Sequence, residues 1–171
     1  AFEKDINEYF KLNGIGWKVE NTEIIARGDE AFETTIEKVE EVLENAQLNT
    51  ARGEIKEAIS DLSRRPDPDI TGAIQHSLAC LECVAREITG DKNSTMGAIL
   101  KNNPGFIPPP LDQAVHKIWG FSSEQGRHLK EGNPPSFLEA ELVVEVTAAI
   151  STYLGKKMDG SEDYKDDDLP F

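Results

Sequence analysis

The stretch from Ile70 to Thr89 constrains the fold of this chain most strongly. Its apolar residues recur every three or four positions, which predicts a helix with a wide apolar face. Asp69 stands where an N-cap is expected, and Gly90 stands where helices commonly end. Many residues of this face are small, so neighbouring elements can approach it from several sides. We therefore expect a mainly α chain, a helical bundle with this helix at its centre.

Shorter amphipathic segments would supply the surrounding helices. Each shows the same apolar spacing and begins or ends at a capping residue, a glycine or a proline. They are 2–12, a segment that follows Asp29, a segment from Thr50 that stops before Pro66, 95–100, 111–119, and a segment that follows Ser136. Residues 15–19 and 23–27 are instead typical of two short strands, which predicts a small β-hairpin packed on the helices.

The last helix carries many apolar residues. Glu139 follows Ser136 at the spacing of a capping box. Before it, residues 120–135 are polar and glycine-rich, which is typical of a functional loop between two apolar helices. We expect Gly155 to end the helix, with these side chains facing inward: Phe137, Leu138, Leu142, Val143, Val146, Ala149, Ile150 and Tyr153.

Three potential metal ligands share one face of the central helix. Cys80 and Cys83 form a C-x-x-C pair, and His76 lies four residues before Cys80. A second cysteine pair, which a four-ligand zinc site of this kind would need, is not in the sequence. Small cysteines in an apolar helix usually pack in the core, so we expect core packing rather than a metal or redox site. We expect no cofactor.

The charge of the chain bears on its partners and its location. A net charge of −14 disfavours both a general nucleic-acid-binding surface and docking on anionic membranes. Reduced thiols, together with the lack of a signal peptide at Ala1 or a long apolar run, predict a cytoplasmic protein.

The last residues form a segment of a different character. Three successive carboxylates repel one another and keep the chain extended, and proline stiffens the apolar residues that follow. A partner could receive such a tip with an apolar pocket, a cation for the terminal carboxylate and a basic rim. The predicted partner-binding residues are Asp166, Asp167, Asp168, Leu169, Pro170 and Phe171.

This ending resembles the C-terminal tip of bacterial single-stranded-DNA-binding protein (SSB), in which acidic residues precede a small aliphatic residue, proline and a final phenylalanine. The resemblance implies a protein receptor: a repair helicase, a nuclease, a recombination mediator or a clamp-loader component. Phe171 would fill the receptor pocket. These residues are also typical of an ordinary disordered acidic terminus. As a further alternative, residues 163–168 resemble a truncated epitope tag.

The body resembles a second family. Residues 65–76, 82–90 and 126–128 are similar to the HEPN-like domain of AbiJ-type abortive-infection proteins. The resemblance implies a helical bundle, often a homodimer, in phage defence or toxin systems. It divides the chain into residues 1–62, which pack on the bundle, a HEPN-like domain at 63–157, and a flexible acidic SSB-like tail at 158–171.

HEPN ribonucleases typically cut RNA without metal, with an arginine followed four to six residues later by a histidine. Here Arg127 is followed at once by His128, and the later position falls among Gly132, Asn133 and Pro134. Arg127 and His128 are the candidate catalytic pair, or else they brace the loop. This departure favours a non-catalytic protein that presents the tip in phage–host conflict. The alternatives are a HEPN-type ribonuclease, with RNA as partner, and a dimeric regulatory domain.

Overall fold

The computed structural model describes residues 2–13, 15–127 and 134–160, with the backbone alone at 122–127. Within these ranges the chain is mainly α-helical with one antiparallel hairpin near its N-terminus, which confirms the predicted class. The elements are α1 (Phe2–Leu12), β1 (Trp17–Glu20), β2 (Glu23–Ala26), α2 (Glu30–Asn45), α3 (Asn49–Ser63), α4 (Ile70–Thr89), α5 (Met96–Asn102), α6 (Leu111–Arg127) and α7 (Phe137–Met158).

Helix α4 is the centre of the bundle, as its sequence predicts. It packs against α3, α5, α6 and α7. The Asp69 side chain accepts a hydrogen bond from the Gly72 backbone N–H at 2.8 Å and caps the N-terminus. At the other end, Gly90 takes a left-handed conformation with a φ of 72°, which few residues other than glycine adopt without strain.

Helices α2 to α7 share a single hydrophobic core. Leu43 of α2, Ile55 of α3, Leu81 of α4 and Leu154 of α7 are among its fully buried side chains. Burying one such side chain stabilises the fold by about 1.5–3 kcal/mol. The C-terminal helix is therefore held firmly by the same core that α4 organises.

The hairpin turns through Asn21 and Thr22, which have φ values of 49° and 68°. Two successive positive φ values are typical of the type I′ turn, whose twist matches that of the flanking strands. Asn7 of α1 joins the sheet edge at Val19, accepting from its N–H at 2.6 Å and donating to its carbonyl at 2.7 Å. The side chain of this asparagine thereby ties α1 to the hairpin.

The predicted loop at 120–135 was wrong in its first half. Helix α6 continues past Trp119 as far as Arg127. Gly120 lies inside the helix, where glycine costs only about 1 kcal/mol relative to alanine. Packing of Val115 in the core, together with Trp119 against it, outweighs a cost of that size.

Helix α7 confirms the capping box but differs from the predicted inward face. Ser136 and Glu139 exchange side-chain and backbone hydrogen bonds as expected. Gly155 does not end the helix but is buried within it. Leu138, Leu142, Ala149 and Tyr153 are exposed, and the buried face is built largely of small residues: Ala140, Val143, Val144, Thr147, Ala148, Ser151, Leu154 and Gly155.

Candidate functional sites: a C-terminal tip and an open face on the last helix

The residues that the sequence singles out lie mostly beyond the described part of the chain. Arg127 is the last residue of α6, where only the backbone is described. His128 and the tip residues Asp166, Asp167, Asp168, Leu169, Pro170 and Phe171 lie outside the described residues. What the structure contributes is the surface between α6 and α7 and the helix that precedes the tail.

That helix is α7, and its end is tightly packed. A Cβ atom added to Gly155 would lie 2.5 Å from Cγ1 of Val42, so only glycine allows α7 to approach α2 this closely. The Asp159 backbone N–H caps the helix by donating to the Gly155 and Lys157 carbonyls. The tail therefore follows a helix end that the core holds in position.

The outer side of α7 borders an open apolar groove that faces α6. The groove has a volume of about 400 Å³. Leu142 is 59% exposed and Phe121 is 38% exposed, values that are high for large apolar side chains. We call this surface the apolar groove, and its described lining comprises Lys117, Ile118, Phe121, Glu139, Leu142, Val143 and Val146.

A second hollow, of about 410 Å³, shares Lys117 with the apolar groove. We call it the basic hollow, because Lys101, His116 and Lys117 line it and are all exposed. Among the described residues, neither lysine takes part in a salt bridge. Asp112 is the acidic residue of its described lining, and its carboxylate accepts from the Gln113 backbone N–H at 2.8 Å. Lys117 therefore joins an apolar groove to a hollow with exposed cationic side chains.

A network of charged side chains lies where α3 meets α4. His76 Nδ1 lies 2.7 Å from a Glu54 carboxylate oxygen, and its Nε2 lies 3.8 Å from Oδ2 of Asp61. Arg64 pairs with Asp61 at 2.9 Å and with the capping residue Asp69 at 3.7 Å. The Asp61 side chain is only 4% exposed, so its charge relies on these partners.

Two groups of this network have shifted pKa values. The hydrogen bond to Glu54 is the main cause that raises the pKa of His76, and desolvation opposes it. Burial raises the pKa of Asp61, while Arg64 lowers it. The His76 shift follows from a contact that joins α3 to α4, whereas the Asp61 shift follows mainly from burial of its carboxylate. The arrangement is that of an interhelical brace, with its groups already bonded to one another.

The three potential ligands on α4 do not converge. His76 pairs with α3, whereas Cys80 is buried beside Ser151 of α7, with 3.8 Å between Sγ and Oγ. Burial raises the pKa of Cys80 to about 12 and also raises that of the half-buried Cys83. Core packing of Cys80 confirms the interpretation from sequence. Within residues 2–13, 15–121 and 134–160, His, Cys, Asp and Glu side chains form no group that could hold a metal ion.

Another hollow, of about 640 Å³, lies between α1, the hairpin and α2. Lys18 pairs there with Glu33 at 2.7 Å and with Glu20 at 3.9 Å. Glu33 also accepts from the Gly28 backbone N–H at 2.8 Å, and Arg27 donates to the Asn7 carbonyl at 3.3 Å. Since these charges already serve contacts within the chain, we regard the hollow as part of the scaffold.

Sequence reasoning missed the apolar groove, although a signal for it was present. Helix α7 has more apolar positions than one buried face can hold, and such a helix needs cover on a second side. Comparisons with protein-family models, with curated proteins and with solved structures found no match for this chain. None of the helices in the described ranges is both long and apolar enough to span a membrane.

Proposed function

We propose that this protein is a non-catalytic helical scaffold that presents residues 166–171 to a receptor of SSB-type C-terminal tips. The observation that carries the proposal is the order of chemistry in the tail: three carboxylates, then Leu169, Pro170 and Phe171. The phenylalanine side chain can fill an apolar pocket of the receptor. The aspartates then remain outside, where a basic rim can pair with them.

The position of the tail supports this proposal. It follows α7, which is packed against α2 and α4, so the body can hold one end of the peptide while the other end engages a partner. The ionisable network at Glu54, Asp61 and His76 is occupied by contacts between helices, which favours a structural use of these groups. We further propose a cytoplasmic setting in phage–host conflict, where the receptor would be a repair or replication protein.

The direct test is to measure binding to a panel of SSB-tip receptors by calorimetry. The intact chain is compared with a chain that lacks Phe171 and with one extended by a single alanine after Phe171. The proposed receptor pocket closes around Phe171, so both changes should weaken binding at least tenfold. A matched Lys165→Ala chain should bind as the intact chain does. Equal affinity of all four chains, or no binding by any of them, would contradict the proposal.

A second candidate function is a HEPN-type ribonuclease. The observation that favours it is the helical backbone through Arg127, which places Arg127 within α6 rather than in a loop. An arginine there could neutralise phosphate, and a histidine could transfer protons near neutral pH. Under this alternative, Arg127→Ala and His128→Ala should each abolish RNA cleavage. Cleavage that is absent from the purified protein, or unchanged in the double variant, would exclude it.

A further inference from the structure

We propose that the tail also docks on the body of its own chain, with Leu169 and Phe171 in the apolar groove and Asp166–Asp168 along the basic hollow. The inference rests on the proposed function, because it uses the same tip chemistry. It adds that the body of the chain competes with the outside receptor for the tip. The two adjoining surfaces together have the features expected of a tip receptor: an apolar recess, a lysine at its edge and further cationic side chains beyond.

The apolar groove matches the end of the tail in size and chemistry. Its volume of about 400 Å³ is in the range of pockets that hold small ligands. Ile118, Leu142 and Val146 offer aliphatic surface to an aromatic ring and a leucine. Lys117 lines both the apolar groove and the basic hollow, so a tip docked there would place an aspartate carboxylate beside a lysine. Glu139, the acidic residue of the described lining, is engaged in the capping box of α7.

Charged residues precede apolar residues along α6, and the same order holds along the tail. His116 and Lys117 precede Ile118 and Phe121 on the helix. In the tail, the aspartates precede the apolar tip. A tail that runs beside α6 in the chain direction thus places carboxylates against Lys101, His116 and Lys117, and its apolar end against the groove. Opposite charges at such a site also disfavour the reversed orientation.

The tail is long enough to reach the groove. An α-helix rises about 1.5 Å per residue, so Leu142 lies about 27 Å along α7 from Gly160. Residues 161–171 can span about 36 Å when extended, at about 3.3 Å per residue. Tethering of this kind gives an effective concentration on the order of millimolar, which is enough to occupy a weak site.

Docking within the chain would lower the affinity for an outside receptor. Only the fraction of molecules with an undocked tip can bind, so the apparent dissociation constant rises as that fraction falls. The protein would present its tip fully only to a receptor that binds it more tightly than the groove does. Blocking the groove should therefore strengthen receptor binding, although the groove itself never touches the receptor.

The test uses methyl NMR of the full chain and of a chain that lacks Leu169–Phe171. We expect the truncation to shift the methyl signals of Ile118, Leu142 and Val146 and to leave those of buried Leu154 unchanged. The shifts should not depend on protein concentration. Unchanged groove signals would overturn the inference. Shifts that grow with concentration would do the same, since they would mean that a second copy occupies the groove.

Receptor binding provides the second readout. Leu142→Glu puts a charge into the groove, whereas Leu138→Glu puts one on the same helix outside the groove lining. We expect Leu142→Glu to bind a tip receptor more tightly, on the order of fivefold, and Leu138→Glu to bind as the intact chain does. If the chain binds a receptor but the groove signals do not shift, docking within the chain is rejected and the proposed function stands. If the groove signals shift but the chain binds no receptor, the proposed function is rejected and docking within the chain stands.

Discussion

The buried face of α7 holds most of the small side chains of the helix, whereas its outer face exposes large apolar ones. The inner face, against α2 and α4, is lined by residues such as Ala140, Ala148 and Gly155. The outer face carries Leu138, 72% exposed, and Leu142, 59% exposed. Small residues allow α7 to approach its neighbours closely. The large apolar residues opposite them add little to folding and are available for contact with another segment.

Leu154 lies on the buried face of α7 and Leu138 on its outer face, so one residue type can be compared on both faces. Leu154 is fully buried, so Leu154→Ala should lower the free energy of unfolding by about 2–5 kcal/mol through lost burial and the cavity left behind. Urea denaturation monitored by circular dichroism would measure the loss. A cost below about 1 kcal/mol would mean that α7 is not held by the core as described.

A smaller effect is expected at Gly155. Gly155→Ala should cost about 1–3 kcal/mol, because the new methyl group would lie 2.5 Å from Cγ1 of Val42. Val42→Ala removes the obstructing atom, so the double variant should regain part of that loss. A double-mutant cycle measures the recovery. Strictly additive costs would show that Gly155 is not limited by Val42.

The brace between α3 and α4 should contribute less and should depend on pH. Its partners raise the folded-state pKa of His76, so the stabilisation is fully present below the unfolded pKa, about 6.5, and is lost as pH rises through the folded pKa. His76→Gln should therefore destabilise more at about pH 6 than at about pH 8.5, by about 1 kcal/mol or less. Denaturation curves at the two pH values test this. A larger loss at the higher pH would contradict the assigned contacts.

The smallest effect belongs to the outer face. Leu138→Ala should change the free energy of unfolding by no more than about 0.5 kcal/mol, because its side chain is 72% exposed. The same denaturation assay gives the comparison with Leu154→Ala. A loss similar to that of Leu154→Ala would remove the distinction between the two faces.

The sequence predicts the central helix well, because local signals mark both of its ends. Asp69 and Gly90 bound α4 as expected, and the capping box of Ser136 and Glu139 marks the start of α7. The end of α6 was harder to predict. Its glycines and polar residues are typical of a loop, and the helical backbone to Arg127 is not marked by local sequence.

The inner face of α7 could not be predicted from hydrophobicity alone. Apolar residues occur around most of the helix, so the pattern does not say which side α2 and α4 cover. The size of the side chains decides it, and that depends on how closely the helices approach. Gly155 is the clearest example, since a glycine near a helix end usually indicates termination rather than close packing.

A competition experiment with an SSB-tip peptide would test most directly whether residues 166–171 are the functional ligand. The intact protein is bound to an SSB-tip receptor, and a peptide with the C-terminal sequence of SSB is titrated in. We predict complete displacement, with an inhibition constant equal to the affinity of the peptide for its receptor. A complex that persists at saturating peptide would contradict the proposal, because the protein would then be held at another site.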